Sequence, residues 1–476
     1  MSKIYNTPLS YKLLHIHGVF VFKHWFSSVE INGEENIPNN ASVIFAPNHQ
    51  NAFTDAMAVL AATPGPVVFL ARADIFAKSL VDKILRFLKI MPAYRMRNGI
   101  GNLKKNADSF EQAAQVLEHK EFFCLMPEGG QEEMRKLRPL VKGMFRIGFA
   151  VQDHYKDTNE TVYIIPTGID YASYDHSGGH MVINFGKPIK MRDYYDKYVE
   201  NAPVAYNEIR AELYRRMSTL MLDIRTDDYY DTIYAACYIY NLDMLDEMGW
   251  EDNETNRLAA RQHIAANLDE IAAMEKYKGD MKELDTMVKE WIKTRPAVEE
   301  EAIVREYGND FDGSFLRALI HAFVFAVPAA VSAIVNAPIF ALGKWACEKW
   351  TVGTGFYSTV ALAVNMVIFP IYHFILMLAV GIPLCHYDGG NFPGWAYALV
   401  FCILLPWSYF FSYRYWWNFK FLWKRVKNLF RKDDLTDRIA DKLTDLFSRL
   451  KEDRRNGITP QTESPKVAED DTNEQD

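Results

Sequence analysis

The chain is 476 residues long, 49% hydrophobic and 24% charged, with a formal net charge of −8. That length allows roughly two to three domains, and the acidic balance gives no electrostatic reason for a nucleic-acid partner. The cysteines, Cys124, Cys237, Cys347, Cys385 and Cys402, are too widely spaced for a metal-ligand set, a redox pair or a disulfide framework, which fits a reducing, cytosol-facing compartment.

In chain order, residues 13–22 are apolar but interrupted by His15 and His17, and Lys12, Lys23 and His24 flank them. They are too short to span a bilayer. They read as a helix lying in a membrane interface or as one packed on the next domain. Residues 42–46 read as a buried strand ending at Pro47, and 52–62 as a helix closed by Thr63-Pro64-Gly65-Pro66. There follow a strand at 67–70, amphipathic helices at 76–88 and 103–117, a strand at 122–126, a helix at 141–152 and strands at 162–166 and 181–185. Strands alternating with helices predict an α/β layered domain over about residues 42–190.

Residues 193–312 are polar, charged and helical in pattern, with Leu284, Met287, Val288 and Trp291 on one stripe. That stripe reads as a helix covering a local core. Residues 313–415 form a C-terminal α-helical membrane domain. No Asp, Glu, Lys or Arg occurs in 318–343, 356–384 or 392–413, and each run exceeds the roughly 20 residues that cross a hydrocarbon core. Arg414, Lys420, Lys424, Arg425, Lys427, Arg431 and Lys432 follow the third run and place the C-terminal side in the cytoplasm. With the N-terminal domain also cytoplasmic, the expected topology is two full spans plus a re-entrant or hairpin segment at the first run, which holds Pro328, Asn336 and Pro338. The expected location is an integral protein of the cytoplasmic (inner) membrane. In the basic and amphipathic segment 416–456, Leu435, Ile439, Leu443, Leu446, Phe447 and Leu450 make one apolar face, for a membrane-surface helix or a dimer helix. The acidic tail 457–476 is expected to be disordered.

Two short motifs carry chemistry. Asn48-His49 follows a strand, with Asp55 in the next helix, and a strand-to-helix junction exposes side chains at the edge where α/β sites sit. A histidine is the natural base near neutral pH, and a carboxylate on its far ring nitrogen fixes the tautomer and stabilises the imidazolium. Pro127-Glu128-Gly129-Gly130 brings a carboxylate and two glycines. Other residues read as ordinary structure. Cys124 lies in an apolar strand with no His beside it, His176 and His180 flank a turn, and Arg135, Lys136 and Arg138 read as exposed surface. Lys142 reads as a solvated lysine at a helix start.

Together, Asn48-His49…Asp55 and Pro127-Glu128-Gly129-Gly130 resemble the first and third blocks of the glycerophospholipid acyltransferase family, which includes the glycerol-3-phosphate and 1-acylglycerol-3-phosphate acyltransferases. Met91-Pro92-Ala93-Tyr94-Arg95 resembles the second block, and Ile164-Ile165-Pro166-Thr167-Gly168 the fourth. Phe185-Gly186-Lys187-Pro188-Ile189 resembles the strand that often follows. The resemblance covers residues 29–192. It departs from the family at one point: His49 and Asp55 have one more residue between them than the usual H-x-x-x-x-D. An extra residue before the helix begins would restore the pairing, and the longer form tilts the acceptor toward glycerol 3-phosphate.

The resemblance implies a layered glycerol-phosphate acyltransferase-like fold and direct acyl transfer from acyl-CoA or an acyl-carrier protein, with no metal and no cofactor. It implies His49 as general base, Asp55 as its orienting acid, backbone N–H groups near Gly129 and Gly130 at the oxyanion, and Glu128 on the acceptor hydroxyls. Arg95 or Arg97, with Lys142, would hold the acceptor phosphate. The implied partners are a glycerol-phosphate acceptor, the acyl donor and membrane lipids. A non-catalytic phospholipid-binding membrane scaffold is the alternative from another class, but a scaffold needs no base with its orienting acid. A lipid hydrolase would call for a Gly-x-Ser-x-Gly turn, which the chain lacks.

Overall fold

The computed structural model describes residues 4–93, 101–172, 174, 178–295, 298, 313–351, 356–387, 394–429 and 434–458. Its strands are β1 (Ser28–Asn32), β2 (Ser42–Pro47), β3 (Val67–Arg72), β4 (Ile90–Ala93), β5 (Phe122–Cys124), β6 (Val162–Tyr171), β7 (His180–Phe185) and β8 (Ile189–Lys190). They form one sheet in the order β1-β7-β6-β2-β5-β3-β4, with β8 against β6. The ladder from β6 through β2, β5 and β3 to β4 is parallel, so the C-terminal ends of β2, β4 and β5 meet at one edge. The β6–β7 pair is antiparallel.

Every residue of β2 is buried, as a central parallel strand covered on both faces requires. Side-chain alternation divides the core. Ile44 and Ala46 face α4 (Gly101–Glu118), α5 (Gly143–His154) and α7 (Ala202–Met217). Val43 and Phe45 face α1 (Leu9–Trp25) and α2 (Ala52–Ala62). The N-terminal segment forms α1, which packs on the domain through Val21, Phe22 and Trp25 and exposes Leu9, Leu13, Ile16 and Phe20. Beside it α3 (Ser79–Phe87) exposes Leu80, Ile84 and Phe87, and Tyr11 of α1 meets Phe87 edge-on.

The readings of four strands need correction. The strand β6 does not stop at Pro166 but runs on to Tyr171. Its outer side pairs with β8 at Tyr163 and Ile164 and with β7 from Thr167 onward. Pro166 falls at the changeover, where its missing N–H costs no ladder bond. Unlike a loop histidine, His180 opens β7 and meets Ser28 Oγ at 2.7 Å. Both β1 and β4 were too short and too polar or Pro-broken to show a strand period.

The helical region comprises α6 (Tyr195–Glu200), α8 (Tyr230–Ile239), α9 (Asn241–Met248), α10 (Glu254–Ala272) and α11 (Lys278–Thr294), besides α7. The apolar helices are α12 (Gly313–Val324), α13 (Ala326–Trp350), α14 (Tyr357–Tyr387) and α15 (Gly394–Leu429), and α16 (Asp434–Arg455) follows. The reading of 435–450 as a membrane-surface or dimer helix is overturned. Ile439, Leu443, Leu446 and Leu450 of α16 are buried against α8, α10 and α11, in the same core as Leu284, Val288 and Trp291. Lys442 pairs with Asp280 and Glu283, and Tyr277 OH donates to Asp453, so the face is satisfied within the chain. Residues 459–476 lie outside the described residues.

Among the described residues, two helices, Ala326–Trp350 and Tyr357–Val380, are long and apolar enough to cross a membrane. Only 17% and 28% of their apolar windows are buried inside the protein, far less than a soluble core helix would bury. The first apolar run is broken at Phe325, where α12 meets α13. Phe315 of α12 lies against Arg425 of α15, and Cys347 of α13 lies beside Tyr357 at the start of α14. Both ends of this run therefore sit at the same end of the α14–α15 pair. That end also holds the α/β domain, through Phe53 N–H to Thr359 Oγ1 (3.3 Å) and His17 to Met366 O (3.0 Å).

Candidate active site

The site is built at the sheet edge where β2 and β5 end. Asn48 leaves β2 fully buried, and its amide pins that end to β6, with Nδ2 donating to Ile169 O (3.0 Å) and Oδ1 accepting from Ile169 N (2.7 Å). The next residue, His49, points its ring at Asp55, with Nδ1 to Oδ2 at 2.9 Å. Its side chain is 20% exposed and that of Asp55 is 0% exposed. The extra residue between them is absorbed in the turn, where Ala52 takes φ 42°, a left-handed conformation unusual for a residue with a Cβ.

Asp55 is held by more than its histidine. Oδ2 also accepts the N–H groups of Gln50 (2.9 Å) and Asn51 (2.8 Å), and Oδ1 accepts the hydroxyl of Tyr171. An acceptor this crowded with donors must receive a proton from His49 Nδ1, which leaves Nε2 as the basic nitrogen. Burial, and then the Asp55 carboxylate, push the Tyr171 hydroxyl well above its ordinary range, so it stays a donor.

Glu128 follows β5 and reaches across to β2. Its Oε1 accepts the His49 backbone N–H at 2.7 Å, and its Oε2 accepts the Arg138 N–H at 3.1 Å with the Arg138 guanidinium 3.4 Å away. Burial pushes its carboxyl up to about 7, against the two N–H groups and the Arg138 charge that favour ionisation. The carboxylate thus first locks His49 in place, a role the motif alone did not suggest. Gly129 adopts φ 68°, and a Cβ there would sit 3.1 Å from Val141 Cγ1, so the turn requires glycine twice over. Its N–H donates to Met126 O at 3.2 Å. Gly130 packs under Arg138, with Nη2 3.0 Å from where a Cβ would stand.

Lys142, half-buried, stands just before the first turn of α5, which the Val141 N–H to Pro127 O bond (2.7 Å) ties to the Glu128 loop. Arg95 and Arg97 lie outside the described residues. The strand that leads to them, β4, ends at Ala93 on the same edge as His49. His49, Asp55, Glu128, Gly129, Gly130 and Lys142 are thus gathered at one edge.

The reading of Arg135 and Arg138 as plain surface is wrong. Arg138 serves Glu128, and Arg135 is fully buried on Asp170 (3.1 Å), a partner that no local spacing announces. Tyr171 was likewise missed, because the strand appeared to end at Pro166. Cys124 is buried in β5, and burial, then Asp55, push its thiol well up, against use as a nucleophile.

The family model for Acyltransferase matches residues 28–170. No curated protein matches the chain. One solved structure to which it is similar is the 1-acyl-sn-glycerophosphate (LPA) acyltransferase PlsC from Thermotoga maritima, at 19% identity over 42% of this chain and 79% of that one, with a TM-score of 0.30. The match to the Acyltransferase family model places a domain of that family at residues 28–170, within which the four motif blocks fall.

Proposed function

We propose that the protein is a membrane-bound O-acyltransferase that moves a fatty acyl group from an acyl thioester to a hydroxyl of glycerol 3-phosphate or 1-acylglycerol 3-phosphate in phospholipid synthesis. The observation that carries this reading is the buried Asp55 carboxylate held against His49 Nδ1 at 2.9 Å, at an edge shared with the Glu128-Gly129-Gly130 loop.

His49 Nε2 removes the proton from the acceptor hydroxyl as its oxygen attacks the thioester carbonyl. Asp55 stabilises the imidazolium. The tetrahedral intermediate collapses with loss of the thiolate, and the proton passes from His49 to that sulfur. Of the two glycine N–H groups, that of Gly130 is the better oxyanion donor, since Gly129 already serves Met126. Glu128 retains lone pairs for an acceptor hydroxyl. Lys142 at the start of α5, with Arg95 or Arg97, binds the phosphate through charge-assisted hydrogen bonds and the helix N-terminus. The donor is acyl-CoA or an acyl-carrier protein.

The setting supports a lipid product. The apolar faces of α1 and α3 and the apolar helices α13 and α14 adjoin the domain, and the start of α14 touches the first turn of α2 through Thr359. The amphipathic product would leave directly into the bilayer. The test is transfer of labelled acyl groups to glycerol 3-phosphate and to 1-acylglycerol 3-phosphate, offered separately to purified protein in detergent with each donor. Label in one glycerol-phosphate acceptor is the expected result. Label only in other alcohols, or only in free fatty acid, would overturn the assignment.

A further inference from the structure

The helical region has no part in the motifs, yet it reaches the site through a buried chain of charges. Arg261 of α10 donates from Nη2 to Asp170 Oδ2 at 3.1 Å. Arg135 donates from Nη1 to Asp170 Oδ1 at 3.1 Å and from Nη2 to the carbonyl of Tyr171. The hydroxyl of Tyr171 then donates to Asp55. A parallel branch runs through Tyr174, whose ring lies 4.3 Å under the Arg135 guanidinium and whose hydroxyl donates to Gln50 Oε1 at 2.7 Å. Side chains of Arg135, Asp170 and Arg261 are 1%, 3% and 4% exposed.

Such a cluster is costly to bury and adds little by itself to stability, so its placement needs a reason. Two guanidinium groups on the single carboxylate of Asp170 leave one positive charge uncompensated. Asp55, equally buried, is the anion next along the chain of contacts, and the four groups together balance. The clamp extends to the backbone as well. Ile224 N–H donates to Arg135 O (2.7 Å), Leu137 N–H to Asp223 (2.9 Å) and Arg135 N–H to Tyr230 OH (2.7 Å), so residues of the helical region also hold the segment that carries Arg138 to Glu128.

We propose that Arg261 is a positioning residue for the His49–Asp55 pair, acting through Asp170, Arg135 and Tyr171, and that the helical region serves to supply it. This rests on the acyl-transfer reading only where activity is the readout. The titratable and charged groups around the pair are Glu128 with Arg138 behind it, Glu132, whose N–H donates to His49 O (3.3 Å), Cys124, Tyr171, Tyr174 and the Arg135–Asp170–Arg261 cluster. Tyr230 and Tyr238 of the helical region also meet Arg135, and among the described residues in this cluster Arg261 is the charged group that region supplies. Removing its charge leaves Asp170 with Arg135 and the protein with a buried anion in excess. Protonation of the His49–Asp55 pair then becomes easier, and the acid limb of the pH–rate profile moves to higher pH.

The test compares full-length Arg261→Met, Arg261→Lys, Tyr171→Phe and the Arg261→Met/Tyr171→Phe double variant with wild type. For Arg261→Met, kcat should fall by roughly tenfold or more, with the acyl-thioester KM little changed and the acid limb shifted upward. Arg261→Lys should recover most of both. The double variant should lose less than the product of the single losses, as groups in one chain do. Titration of the His49 imidazole by nitrogen-15 NMR in histidine-labelled protein gives a readout that needs no substrate, and its midpoint should rise in Arg261→Met. An unmoved midpoint in a folded variant, or multiplicative losses, would overturn the proposal. Failure of wild type to transfer acyl groups would sink the acyl-transfer reading and leave the midpoint to decide this one.

Discussion

Asp55→Asn is the most informative single perturbation of the site. The amide oxygen can take the place of Oδ2, since the N–H groups of Gln50 and Asn51 and His49 Nδ1 all demand an acceptor there. The amide nitrogen then faces Tyr171, whose hydroxyl can rotate to accept. Geometry and tautomer survive, and what is lost is the negative charge opposite a forming imidazolium. Two unit charges about 4 Å apart interact by about 4 kcal/mol at the effective dielectric constant of protein interiors. Half to all of that loss raises the barrier by about 2–4 kcal/mol, or roughly 30- to 1,000-fold in kcat. The assay is initial-rate thiol release from an acyl thioester at saturating acceptor. Asp55→Ala differs in kind, because it orphans the buried donors at about 1–3 kcal/mol each, a large share of the about 5–15 kcal/mol that hold a typical domain. Its melting temperature should fall clearly below that of Asp55→Asn. Asp55→Asn with kcat within threefold of wild type would show that the Asp55 charge does not stabilise the imidazolium, and equal melting temperatures for the two variants would show that Asp55 does not hold the buried donors.

Three further outcomes follow from the same geometry. Ala52→Gly should raise stability by about 0.5–1 kcal/mol, because the left-handed backbone of Ala52 costs about 1–2 kcal/mol with a Cβ and part returns as chain entropy; a melting temperature at or below wild type would contradict it. Asn48→Ala should destabilise by about 2–4 kcal/mol in chemical denaturation, since it leaves the Ile169 N–H and C=O without the partner that ties β6 to the site. Glu128, raised to about 7 from an ordinary 4.5, binds its proton more tightly folded than unfolded. Its contribution to stability is therefore complete below the unfolded value and is lost as pH rises through about 7, so denaturation midpoints should decline across that window and Glu128→Gln should flatten the decline.

The parts legible in the sequence were those set by local rules. Period and turn chemistry marked β2, α2, β5 and α5, and the two short motifs lay at strand ends, where a parallel sheet gathers them. The five-residue spacing between His49 and Asp55 was readable only as a departure; its resolution at Ala52 is a backbone conformation that no residue type advertises. Long-range partners were the least legible. Arg135 looks like any surface arginine until Asp170, brought beside it by the β6 extension past Pro166, is in place. The apolar face of α16 could equally have met lipid, a second chain or its own helical region, because amphipathicity states that a face is covered and not by what.

The role of His49 as general base is tested by acyl transfer to a glycerol-phosphate acceptor by wild type and by His49→Gln, purified in parallel and matched by melting temperature. Wild type should form the acylated acceptor, and His49→Gln should lose on the order of 100- to 10,000-fold in rate, the usual contribution of a general base. A folded His49→Gln protein that transfers acyl groups at the wild-type rate would rule out His49 as the base.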